Sequence, residues 1–390
     1  MKQLVCLQIH NDYQISGGET KTAQLIANLL EKNGIKVIRY YKSNMEFADL
    51  KGKTSKIKQG MKSLYNVQTV KDINQILENN KIDFALVHNV VSVISNSAYK
   101  VLIKNNIPII KYLQNYNLVC LNGALDNGTV CDKCQNNGLI GVKYKCYKES
   151  MLYSLIKFFI KKDMDIKILH KIKAFMPNSE FVMQEHVDRG IPKEKMHVMY
   201  NYVNIPFIGK QMKMGDYYLY FGRLSYEKGI MTTLKAFTKM RNKSLLVMGS
   251  GPLEKDVKKY IKDYNLQNVK YIGSYNGEKL LKIVADSKAV IVPSEWNEPL
   301  PRTILEAYSQ GVPVIGSNKG GIPELISQGE TGYVFQSGDI NSLIEVVSQI
   351  ELLDIKSYIC MRKQCLDRLT KEYTEEAYFS RFMKCVEEII

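Results

Sequence analysis

No stretch of this sequence has the run of apolar residues needed to cross a bilayer. The greasiest helical candidate, MLYSLIKFFIKK, is interrupted at Lys157, which with Lys161 and Lys162 reads as a basic surface face able to dock on an anionic membrane. A secretory leader is not expected either: the opening MKQLVCLQIHND carries a single Lys and a short apolar run broken by Gln8, His10 and Asp12, which suits a buried strand better than a signal peptide. Both absences predict a cytoplasmic chain, at most peripheral on the inner face of the cell membrane. Acidic residues are scarce in the first half, where residues 1–205 hold 29 Lys and Arg against 17 Asp and Glu, while residues 206–390 hold 25 against 22. Such asymmetry favours an anionic partner. With no recognised nucleic-acid-binding motif, that partner is read as an anionic membrane surface or polyphosphate lipid rather than nucleic acid; ordinary solubilising lysine is the plain alternative. Signs of disorder or fibrous repeats are missing too, since 45% apolar and 24% charged residues match ordinary globular composition. At 390 residues the chain suffices for two domains, each with its own core.

What is present is βαβ alternation. In the first half 4–10, 35–41, 84–88 and 107–113 read as short buried strands. They are separated by helical stretches such as TAQLIANLLEKNG, which ends at Gly34. Residues 42–66, rich in Lys and weak in periodicity, read as a long loop or a mobile helix pair. The second half repeats the pattern at 217–222, 243–249, 269–273, 289–294 and 312–317. The expected fold is α/β, with two facing Rossmann-like domains of parallel strands and a ligand held in the cleft between them. The boundaries are placed at 1–205, carrying a Cys-rich insert at 120–146, and 206–371, with a last helix at 372–390 that could lie across either domain.

The segment VPSEWNEPLPRTILEAYSQGVPVIGSNKGGIPELI, residues 292–326, carries the most chemistry. Its Glu298 and Glu306 fall in a loop mouth and about two turns into the following helix, so both can point at one ligand. Carboxylates accept hydrogen bonds from vicinal hydroxyls, which suits a sugar and a ribose without a metal; a capped, solvated helix start would look the same. Cys120, Cys131, Cys134 and Cys146 form a CxxC with two further cysteines in a turn-rich insert, the ligand types of a tetrahedral structural zinc, with reduced thiols as the alternative. Cys6, Cys360, Cys365 and Cys385 read as core residues.

The glutamate pair, the following EAYSQGVPVIGS and the GGIPELI loop resemble family 4 of the glycosyltransferases. FGRLSYEKG, VMGSGP, VKYIGSY and GETGYVF follow in family order, and Gly17 and Gly18 stand after the first strand as they do in that family. The resemblance implies a GT-B fold and transfer from a nucleotide-diphosphate sugar to a glycan or lipid-linked acceptor. Retention of anomeric configuration and no catalytic metal are also implied, in a role in bacterial surface polysaccharide synthesis. It assigns Arg223 and Lys228 to clamp the diphosphate, whose charge grows at the transition state. Glu298 would take a donor-sugar hydroxyl and Glu306 the ribose. Gly17, Gly18, Gly249, Gly251 and Ile272 are placed at the donor, the first two letting backbone approach the diphosphate at a helix start.

Two departures stand out. Pro299 and Pro301 occupy a loop where the family commonly has glycines, so Leu300, Arg302 and Thr303 must supply any amide contacts. Gln114 in LQNY takes a position where many relatives place a His, and it cannot carry an imidazolium's charge; it and His88 are the acceptor-side candidates. A nucleotide-sugar epimerase and a non-catalytic sugar-nucleotide-binding scaffold are the competing readings.

Overall fold

The computed structural model describes residues 3–12, 18–47, 53–125, 131, 133–134, 138–209 and 212–390, with backbone alone at 46–47 and 53–58. The chain forms two units: Met1–Tyr200 joined by Phe379–Ile390, and Asn201–Tyr378.

The first unit is built on β1 (Val5–Asp12), β2 (Lys36–Ser43), β3 (Phe84–Val87), β4 (Ile109–Leu113) and β5 (Ala174–Pro177), in spatial order β2-β1-β3-β4-β5. Every pairing is parallel, with Val5 opposite Lys36 and Cys6 opposite Phe84. Strands covered on both faces read as unbroken apolar runs; β3 and β5 are buried at every position. β5 escapes the sequence reading because four residues ending in a proline carry too little pattern to register. Between β2 and the helix Lys53–Leu64 the chain makes a 3-10 turn at Asn44–Phe47. The helix Met151–Lys167 holds Lys157 in the interior at 5% exposure, although the sequence read it as surface.

The second unit is built on β6 (Tyr217–Phe221), β7 (Ser244–Met248), β8 (Val269–Tyr271), β9 (Ala289–Val292), β10 (Val314–Ser317) and β11 (Gly332–Phe335). Their order, β11-β10-β9-β6-β7-β8, is again wholly parallel. The order reverses between β6 and β9, and such a switch point leaves a crevice at the carboxyl ends of its two strands. Tyr218, Leu234, Phe237, Val247, Ile291 and Ile350 lie in the core beneath it.

Residues 201–208 belong to this unit because their backbone is bound there. The Val203 amide donates to Tyr373 O at 3.2 Å, the Ile208 amide to Gln310 Oε1 at 3.0 Å, and Gln310 Nε2 to Pro206 O at 2.9 Å. The last helix, Glu375–Ile389, starts in the second unit and ends in the first, where Phe382 packs on Phe84. Cys6, Cys365 and Cys385 are buried as expected; Cys360 is exposed, on a solvent-facing position of the helix Ile355–Glu372.

Among the described residues no helix is long and apolar enough to cross a membrane.

Candidate functional site

At the β6/β9 switch point lies a cavity of about 190 Å³ whose walls include Gly222, Arg223, Lys228, Ser294, Glu298, Arg302, Thr303 and Glu306. Arg223 stands two residues after the end of β6, and its loop is tied to the loop after β7 by the Leu224 amide donating to Ser250 O at 2.9 Å. Tyr220 also donates to Arg223 O at 2.7 Å from its buried hydroxyl. Burial, then the charges of Glu227 and Glu298, push that phenol's pKa well up, so it stays a neutral donor.

Lys228 ends a 3-10 turn, Tyr226–Lys228, that closes on Gly229 in the left-handed region at φ +69°. A Cβ on Gly229 would stand 1.8 Å from Pro293 O, so only glycine lets this turn press against the strand end of β9. The ammonium of Lys228 thereby reaches Glu298 and donates to its Oε2. Two further donors fall on the same oxygen, Trp296 Nε1 at 2.8 Å and Ser294 Oγ at 3.3 Å. Lys228 also lies over the Trp296 ring, 5.3 Å from its centroid. From the other side Gly320, at φ +57°, lies against the backbone of Glu298, where a Cβ would stand 2.0 Å from Glu298 O. The Gly321 amide donates to that same carbonyl at 2.8 Å. These three donors, all on Oε2, fix the orientation of the Glu298 carboxylate.

The helix Arg302–Ser309 starts at the cavity wall with Pro301 as its N-cap. Its backbone ladder begins with the Ile304 amide donating to Pro301 O at 3.3 Å, so the amides of Arg302 and Thr303 precede it, and the helix dipole adds positive potential there. Glu306, one turn in, lines the wall as well. Cations from one strand end, a carboxylate from another and a helix start converge on one space. Such a space can take a phosphate-bearing, hydroxyl-rich ligand.

Of the other residues expected at the donor, Leu300 is buried, and neither it nor Ile272, Gly249 or Gly251 is among those lining this cavity. The Ile272 amide donates to Val247 O at 3.0 Å, holding β8 to β7. Gly17 lies outside the described residues. Gly18 opens the helix Gly18–Lys32, but Glu19 already puts a carboxylate in that first turn, bonded by Asn115 Nδ2 at 2.6 Å. Sequence reasoning missed Ser294, Trp296 and Tyr220. The signal available was the chain's single tryptophan, standing in a polar loop two residues before Glu298.

On the acceptor side, His88 is buried, and its Nε2 accepts from Gln8 Nε2 at 2.9 Å. Burial, then the charges of His10 and Lys111, hold its pKa well below the usual value, so the ring is neutral. Gln114 is partly buried just beyond β4. The four insert cysteines share the wall of one cavity, about 320 Å³, with Lys133, Tyr144 and Arg189. All are free thiols; Cys120 Sγ donates to Asn122 Oδ1 at 2.9 Å. Among the described residues no three ligands converge as a metal ion requires, so the zinc expectation finds no support in the geometry. Asn127, Gly128, Asn136 and Asn137 of the insert lie outside the described residues.

Residues 204–364 match the family model described as glycosyl transferases group 1. The sulfoquinovosyl transferase SQD2 of Arabidopsis thaliana is 29% identical over 129 residues, 32% of this chain but only 24% of that protein's length. An uncharacterised 42.6 kDa protein in the cps region of Klebsiella pneumoniae is 24% identical over 94% of this chain and 96% of its own. In three dimensions the chain is similar to Anabaena Alr3699/HepE, solved in complex with UDP-glucose, with a TM-score of 0.67 at 15% identity over 99% of this chain and all of that one. Likeness at that identity shows the fold. The family match lies within the second unit and covers less than half of the chain, which is similar there to the group 1 glycosyl transferases; the fold is GT-B.

Proposed function

We propose that the protein is a nucleotide-sugar-dependent glycosyltransferase acting with retention on a glycan or lipid-linked acceptor in surface polysaccharide synthesis. The observation that carries this reading is the gathering of Arg223, Lys228, Glu298, Arg302 and Glu306 around one cavity at the β6/β9 switch point. In this reading the donor's bond from anomeric carbon to phosphate oxygen breaks while the acceptor hydroxyl forms the new bond and passes its proton to the departing diphosphate oxygen. Arg223, Lys228 and the start of the helix Arg302–Ser309 offset the charge left on the diphosphate. Glu298 holds a sugar hydroxyl and Glu306 the ribose. Similarity to a protein solved with UDP-glucose supports a UDP-sugar donor. The whole-length likeness to the cps-region protein supports the polysaccharide role.

A thermal-shift screen of nucleotide sugars, followed by mass and NMR analysis of products made on lipid-linked acceptors, tests the proposal. No donor stabilising the protein and no sugar transferred would end it. Peripheral membrane docking is the second part of the reading. It is favoured by the helix Met151–Lys167, which exposes Leu152, Phe159 and Ile166 at seven-residue spacing beside exposed Lys162. Lys62 is exposed, Lys51 lies outside the described residues, and so do the side chains of Lys53, Lys56 and Lys58. Sedimentation with anionic against neutral vesicles at rising salt should show binding that fades with ionic strength.

A further inference from the structure

We propose that the first unit holds an oxyanion site, built on Lys111, Lys157 and Tyr99, that takes a phosphate group carried by the acceptor. The inference deepens the transferase reading above and rests on it for the word acceptor. A cavity of about 50 Å³ lies at the carboxyl ends of β3 and β4, walled by Asn89, Tyr99, Lys111, Asn117, Lys157 and Lys161 among others. That end of a parallel sheet is where ligands bind. One water needs about 10–15 Å³ of such space, so there is room for roughly four oxygens, the number in a phosphate.

Lys111, Lys157 and Lys161 make its surroundings basic, and the charge of Glu19 reaches Lys111 without an ion-pair contact. Among the described residues, no carboxylate lies within ion-pair distance of Lys111 or Lys157, and the nearby acids are committed elsewhere. Asp163 pairs with Lys100 at 2.8 Å and accepts from Asn96, Asp165 pairs with Lys161 at 2.6 Å, and Glu19 accepts from Asn115. Among the described residues Lys157 donates to Asn117 Oδ1, at 3.2 Å, and rests against the Tyr147 ring; Lys111 donates to His88 O. An ammonium has three N–H groups, so each keeps donors to spare. Tyr99, wholly buried, supplies a hydroxyl with no hydrogen-bond partner, and such orphans are rare in folded proteins. Burial pushes both lysines down to about 8, with the charge of Glu19 drawing Lys111 partly back up. A phosphate carries close to two negative charges at neutral pH and would neutralise both, whereas a carboxylate would leave one uncompensated.

The test is calorimetry with inorganic phosphate on the full chain carrying Arg223→Ala, Lys228→Ala and Arg302→Ala, which removes the donor-side cations. Saturable binding should persist there. Adding Lys157→Met should weaken it about ten- to a hundredfold, and adding Tyr99→Phe several-fold, the loss expected for hydrogen bonds to a charged group. Tyr99→Phe changes no volume of consequence, so its effect does not depend on Lys157→Met folding well. No phosphate binding in the donor-side variant, or equal binding with both added substitutions, would overturn the site. UDP binding by the unsubstituted chain, measured in parallel, separates this from failure of the transferase reading itself. A second arm compares phosphatidylcholine vesicles with and without phosphatidic acid. Competition between inorganic phosphate and the phosphatidic acid vesicles assigns the site to a lipid headgroup, and its absence to a soluble phosphate ester.

Discussion

Lys228 donates a hydrogen bond to Oε2 of Glu298, a residue 70 positions further along the chain. The contact joins the loop after β6 to the loop after β9 and sets a fixed cation beside a fixed carboxylate. Because charge on a leaving diphosphate peaks at the transition state, Lys228→Ala is expected to cut kcat about a hundredfold with a smaller rise in donor KM. Arg223→Ala should behave likewise. Steady-state kinetics decide the matter, and raised KM at unchanged kcat in both variants would count against the clamp.

Glu306→Ala should weaken UDP binding by about 1.5–3 kcal/mol, since ribose hydroxyls would lose a charged acceptor. Calorimetry with UDP measures this directly. Unchanged affinity would remove Glu306 from the ribose, leaving it a wall residue of the same cavity.

Gly320→Ala should damage the site through backbone alone. The added Cβ would collide with Glu298 O, and alanine at φ +57° is strained besides. A loss of about 1–3 kcal/mol in stability is expected, together with lower turnover because Glu298 must move. Denaturant melts and activity at saturating donor check both effects; wild-type values for each would contradict the packing described.

Acid should uncouple a charged cluster at the far side of the second unit. Glu351 accepts from Lys243 at 2.6 Å, Lys288 at 2.8 Å and Tyr218 at 2.7 Å. Burial raises its pKa, but the bonds from Lys243, Lys288 and Tyr218 outweigh that and hold it down at about 2, against 4.5 for a free glutamate. A depressed carboxylate stabilises the fold above its unfolded pKa, and that stability is lost as pH falls from about 4.5 towards 2. Allowing for partial exposure, Glu351→Gln should cost about 1–2 kcal/mol at neutral pH. Urea melts across that acid range should show the gap to wild type closing; a gap independent of pH would refute the linkage.

Much of the second unit was legible in sequence because its strands are short apolar runs closed by Gly or Pro, and parallel strands buried on both faces leave that trace in composition. β11 was quoted within GETGYVF without being seen as a strand, since four residues after a glycine have no period to read. Lys157 misled for a physical reason. A lysine in an apolar helix reads as surface unless something in the fold compensates its burial, and Asn117, 40 positions away, is one such group.

The alternation of strands and helices, the basic first half and the placing of Arg223, Lys228, Glu298 and Glu306 within recurring motifs were determined by sequence alone, because each is a local pattern of residue types. Tertiary structure decided which of them share a space. It brought Trp296 and Ser294 onto Glu298, left Gly249, Gly251 and Ile272 outside that cavity, set the four cysteines on one cavity wall with no three converging as metal ligands among the described residues, and brought Lys111 and Lys157 to the wall of one small cavity. Those outcomes depend on strand order and loop contact between residues far apart in the chain, which no local pattern encodes.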